Sequence, residues 1–135
     1  MKKTATLSIV SWNETVYQQI SASMKLTKAS VVFDVKGDLQ GIATVEYLMM
    51  YSNFEEKDPH KSTCGFVGLT RFEGTVQGKQ GSFVFEESGQ FHEGTTKSTF
   101  KIVPFSGTDQ LKDLVGSGTI ESSSTAIFLV LHPSS

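Results

Sequence analysis

Apolar and polar residues alternate in short runs along almost the whole chain, with Phe, Val, Thr and Tyr prominent in the runs and glycine between them. A period of two is the signature of β-strands, whose successive side chains point to opposite faces. The pattern predicts strands at 5–16, 26–36, 42–51, 63–77, 82–91, 95–103, 117–121 and 125–131. One short helix is predicted at 108–114: Thr108 caps it, Leu111 and Leu114 share a face, and Gly116 follows its end. Closely spaced strands with no long helical period, linker or repeat predict an all-β chain. The expected architecture is a closed or nearly closed, mainly antiparallel, eight-stranded barrel, with 1–135 as a single domain.

Three glycine-bearing turns set the expected register. Gly78 to Gly81 places Gln77 opposite Ser82, His92 to Thr95 closes a second hairpin, and Gly37 to Gly41 places Lys36 opposite Gly41. On this register Val31, Phe33, Val35, Ile42, Thr44, Glu46, Leu48 and Met50 face the core. A second inward set runs through Phe66, Thr70, Phe72, Val76, Phe83, Phe85, Glu87, Phe91, Ser98, Phe100 and Ile102. Its reverse carries Arg71, Glu73, Glu86, Ser88, Lys97 and Lys101. Phe85 falls opposite Gly74, and Phe91 opposite Gly68. Large rings beside missing side chains suit a tapering, curved interior. Trp12 falls on the opposite face from Leu7 and Ile9, so a bulge near Val10 is expected, with Trp12 packed in the core.

Charge and cysteine content narrow the function. The 135 residues carry a formal charge of −2, with no basic block beyond Lys2-Lys3, which argues against nucleic-acid binding. No apolar run reaches the length of a membrane span, and no cleavage site follows the basic start, so a cytoplasmic location is expected. Cys64 is the single cysteine and is read as a small buried hydrophobe. His60, His92 and His132 lack metal-pair spacing, and no phosphate-binding or nucleophile-elbow motif occurs; neither metal nor cofactor is expected.

Two carboxylates fall on the inward face, Glu46 and Glu87. A carboxyl in apolar surroundings has a raised pKa and is a candidate general acid, general base or polar anchor. With Phe72, Phe85 and Phe100 they form the candidate ligand-binding set. Tyr47, Met49 and Tyr51 fall on the opposite face of their strand. Outward on a barrel, they form a candidate interface for a homodimer or higher homo-oligomer.

Several strings resemble one family. They are Val45-Glu46-Tyr47-Leu48-Met49, the stretch Gly65-Phe66-Val67-Gly68-Leu69-Thr70-Arg71-Phe72-Glu73-Gly74-Thr75, Gly81-Ser82-Phe83, and Ser106-Gly107-Thr108 with Leu111, Leu114 and Gly116. Together they resemble a family of small bacterial proteins known as a domain of unknown function, over nearly the whole chain. The resemblance implies a closed eight-stranded barrel similar in architecture to allene oxide cyclase, with no cyclase motif to carry over. The chain departs from the family pattern at Glu87, where members often have His, and at Phe105, where they often have Gly.

Three readings follow. The leading one is a barrel that binds one small apolar ligand inside, anchored by the two carboxylates. The second is a cyclase- or isomerase-type enzyme using an interior carboxylate. The third is an interaction protein acting through the Tyr47-Met49-Tyr51 stripe.

Overall fold

The computed structural model describes residues 1–123 and 125–134, with the backbone alone at His60. Its strands are β1 (Lys3–Gln19), β2 (Lys25–Gly37), β3 (Leu39–Asn53), β4 (Thr63–Val76), β5 (Lys79–His92), β6 (Thr95–Ile102), β7 (Val115–Ser122) and β8 (Ile127–Ser134). Each pairs antiparallel with the next, and β1 pairs with β8 through Ala5–Leu129 and its neighbours, closing the barrel in chain order. No helix among the described residues is long and apolar enough to cross a membrane. The expected helix at 108–114 is a single 3-10 turn, Asp109–Leu111. Asp109 sits at φ +53°, which α-helical geometry excludes, and the Thr108 hydroxyl accepts the Ser82 N–H at 3.0 Å rather than capping a helix. Leu111 still buries its side chain, as its spacing required.

The β4–β5 turn is tighter than its glycines suggest. Gln77 and Gly78 both take positive φ, the two-residue geometry that matches strand twist. Phe85 therefore pairs with Thr70 rather than Gly74, and Glu87 with Gly68. The shift is even, so every residue keeps its expected face: Phe66, Thr70, Phe72, Phe83, Phe85, Glu87, Ser98, Phe100 and Ile102 are buried, and Arg71, Glu73, Glu86, Lys97 and Lys101 are exposed.

The β2–β3 turn differs from expectation by one residue, and the consequence is opposite. Val35, not Lys36, pairs with Gly41. An odd shift inverts a whole strand. Leu39, Ala43, Val45, Tyr47 and Met49 are buried, whereas Ile42, Thr44, Glu46 and Leu48 are exposed. The physical preference is plain: this register buries an uncharged set and leaves Glu46 in water, avoiding the cost of an unpaired buried charge.

β1 contains the expected bulge, between Ile9 and Ser11. Beyond Leu7 it continues to Gln19 without a β8 partner, because β8 begins only at Ile127. β1 to β5 have 13 to 17 residues each, while β6, β7 and β8 have 8 each. The wall is tall on one side and low on the other, which leaves the interior accessible at one end.

Candidate functional site: a half-filled barrel

The interior divides into two levels. The lower level is solid. Phe72, Phe83, Phe85 and Phe100 form a continuous series of ring contacts, with centroids 5.3, 6.3 and 4.4 Å apart in that order, and Leu39, Ile102, Leu129 and Leu131 pack with them in the same core. Three of the expected ligand-contacting residues, Phe72, Phe85 and Phe100, belong to this plug, at most 4 % exposed, and none of them reaches the cavity above. Their shape filled the taper instead.

The upper level is open. A cavity of about 410 Å³ is walled by Trp12, Tyr47, Tyr51, Phe54, Phe66 and Phe91, with Met49, Ile120 and Cys64 between the rings. The rings contact one another: Tyr47 and Phe66 edge to face at 5.2 Å, Tyr51 and Phe54 likewise at 5.5 Å, Trp12 and Tyr47 tilted at 6.2 Å. Ile9 and Trp12 point inward yet are 53 % and 42 % exposed, because they stand on the part of β1 that extends past its β8 partner. Trp12 thus lines the mouth rather than packing in the core as its pattern suggested.

Glu87 lines this cavity where it meets the plug. It is 5 % exposed, the Ser98 hydroxyl donates to its Oε2 at 2.6 Å, and its Oε1 has no hydrogen-bond partner among the described residues. Burial raises its pKa above the ordinary value, opposed by the Ser98 and Tyr47 hydroxyls. Tyr47 reaches Glu87 from two strands away because Gly68 lies between them: the three residues stand side by side on β3, β4 and β5, and the ring lies across the glycine. Burial and the adjoining Glu87 hold the Tyr47 phenol protonated far above its ordinary range. Phe100 uses the same device, lying over Gly118 on β7. Ring-over-glycine packing was the expected principle; the partners are different ones.

Glu46 is not part of this site. It stands on the outer wall, accepting the Ser30 hydroxyl at 2.8 Å and facing Lys28 at 3.9 Å. Tyr47, Met49 and Tyr51, expected outside, are the cavity wall, so the outward stripe they were to form does not exist. The second interior carboxylate is instead Glu14. The β1 bulge that turns Trp12 inward also turns Glu14 inward two residues on, a signal already present in the strand pattern. At the rim Glu14 accepts hydrogen bonds from Thr27 Oγ1 (2.7 Å), Tyr51 Oη (2.8 Å) and Trp12 Nε1 (3.0 Å). Burial and Glu14 together raise the Tyr51 pKa beyond its usual range. Cys64 is buried as expected, and burial pushes its thiol up to about 12, which keeps it protonated and poorly nucleophilic. His92 pairs with Thr63 Oγ1 at 3.0 Å; the His60 side chain lies outside the described residues.

The outer wall carries a second, larger depression of about 1090 Å³ across the middle of the strands, with Leu48, Val67 and Leu69 flanked by Glu46, Glu86 and Lys101; it also touches Glu87 and Phe100, so three of the expected ligand-binding residues border it. It is more open to solvent than the interior cavity.

Comparison with known proteins agrees with this architecture. A family model described as protein of unknown function (DUF3224) matches residues 3–129. A crystal structure of a protein with unknown function from the DUF3224 family of Shewanella oneidensis MR-1 superposes with a TM-score of 0.79. It is 20 % identical, over 99 % of this chain and 96 % of that one. No curated protein matches.

Proposed function

The chain belongs to the DUF3224 family of proteins of unknown function, and we propose that it binds one small, mainly apolar molecule in the upper barrel, with Glu87 as the polar anchor. A single observation carries this reading: an aromatic-walled cavity of about 410 Å³ with a buried carboxyl, Glu87, in its wall, one of whose oxygens has no hydrogen-bond partner among the described residues. The size falls within the range of small-molecule sites, and a few polar groups in an apolar wall are their usual composition. A buried polar atom without a partner costs about 1–3 kcal/mol, so an occupant that supplies the partner recovers this along with its own apolar burial. The candidate contacts are Glu87, Tyr47, Met49, Tyr51, Trp12, Phe66 and Phe91.

Trp12 is the single tryptophan and lines the mouth. Its emission therefore reports occupancy directly. Titration with butylbenzene is expected to shift Trp12 emission saturably and to raise the thermal midpoint. Thr96→Phe, which places a ring in the cavity, is expected to abolish both responses. A linear, non-saturating response in the parent protein overturns the reading.

A further inference from the structure

The polar groups around Glu87 are arranged unevenly. The Ser98 hydroxyl donates to the carboxyl at 2.6 Å, and the Tyr47 phenol, kept protonated, also faces it. Donors converging on a carboxyl favour its anionic form, here against the burial that raises its pKa. What this group lacks is a countercharge: among the described residues lining the cavity there is no Lys, Arg or His. The remaining wall is built of aromatic rings, whose faces attract cations. The rim shows this attraction within the molecule itself, where the Lys25 ammonium sits 3.5 Å from the centroid of Phe54 and 5.1 Å from that of Tyr51, two rings that line the cavity. Glu14, outside the lining itself, is a second carboxylate bonded to two of the wall residues, Trp12 and Tyr51.

We infer that the occupant is an organic ammonium ion, a primary amine on an aryl or alkyl body, with its head against the Glu87 carboxyl and its body among the rings of Trp12, Tyr47, Phe66 and Phe91. The inference deepens the proposed ligand-binding reading and rests on it. The ammonium supplies both the missing hydrogen bond and the missing charge, whereas a neutral head supplies only the first. Where Glu87 is protonated in the empty cavity, its proton leaves to solvent as the ammonium arrives.

The test uses three probes of similar body and different charge: 2-phenylethylammonium, 2-phenylethanol and 3-phenylpropanoate, titrated calorimetrically. The ammonium is expected to bind at least about tenfold tighter than the alcohol, with the carboxylate weakest, and Glu87→Gln is expected to remove that preference. A second readout needs no variant: the ammonium's affinity rises with pH as Glu87 ionises, and the alcohol's stays flat. The titratable group against Glu87 is Tyr47 from β3; β4 presents Gly68 there, β6 Ser98 and Phe100, and β7 Ile120 and Gly118. Tyr47 and the Cys64 thiol higher in the wall both remain protonated over this range. An alcohol that binds as tightly as the ammonium, or a flat ammonium profile, overturns the ammonium inference and leaves cavity binding standing. If none of the three binds, both fail.

Discussion

A methyl group at position 68 would lie 2.8 Å from the Tyr47 ring and 2.9 Å from the Glu46 carbonyl oxygen. Gly68→Ala is therefore expected to push Tyr47 off Glu87 and to destabilise the protein by about 1–3 kcal/mol, read from the urea midpoint, because the rigid ring and the backbone leave no room to yield. Glu87 gives a prediction in pH. Its pKa is raised above the ordinary 4.5 in the folded protein, chiefly by burial. The folded state thus holds the proton more tightly than the unfolded chain. Stability is fully present below the unfolded pKa and declines as pH rises through the folded one. Glu87→Gln removes that decline: its urea midpoint is expected to exceed the parent's at neutral pH and to converge with it below pH 4.5. At this scale the strand pattern placed Glu87 correctly, since alternation along β5 and β6 is unambiguous. It could not supply the Tyr47 contact, which depends on a cross-strand neighbour two strands away. Phe105, where related sequences were expected to carry Gly, sits at φ +68° and is fully exposed, a backbone conformation in which Gly is the unstrained residue.

Among the elements, β3 is the instructive one. Both of its faces contain apolar residues, so periodicity alone does not choose between them, and a turn misjudged by a single residue inverts it. The charge rule does choose: one alternation carries Glu46 and Gln40, the other no charged residue at all. The register expected from the turn runs against that rule, and the observed burial of Tyr47 and exposure of Glu46 show that charge decides the face of this strand. The orientation predicts contrasting variants. Val45→Lys, on the same inward face, buries a charge among apolar neighbours and is expected to cost about 3–5 kcal/mol or prevent folding. Glu46→Ala removes a surface ion pair, both of whose side chains are 57 % exposed, and one exposed hydrogen bond from Ser30, and is expected to cost less than about 1 kcal/mol. Thermal denaturation distinguishes the two. β4 and β5 escaped the same fate because their misjudged turn shifted register by an even number, which leaves faces unchanged.

For the molecule as a whole, the barrel is both filled and hollow. An eight-stranded barrel is wide enough either to be packed by its own side chains or to enclose one small molecule. Here the four-phenylalanine plug closes the lower half, and the difference in height between β1–β5 and β6–β8 opens the upper half. The two levels should respond differently to truncation. Phe85→Ala in the plug is expected to cost about 3–5 kcal/mol, since a cavity is created in close-packed surroundings. Phe91→Ala, whose ring already borders open space, is expected to cost about 1–2 kcal/mol in urea unfolding while weakening whatever the cavity holds.

The sequence by itself determined the all-β class, the strands, the inward faces of β4, β5 and β6, the bulge in β1 and the buried Glu87, because each is a local consequence of a period of two. Only the tertiary structure decided the face of β3, the pairing of Glu14 with Tyr51, the reach of Tyr47 across Gly68, and the division of the interior into plug and cavity. These depend on which residues the closed ring brings opposite one another. That is set by turn lengths and by where neighbouring strands end, and neither is written in the alternation of any single strand.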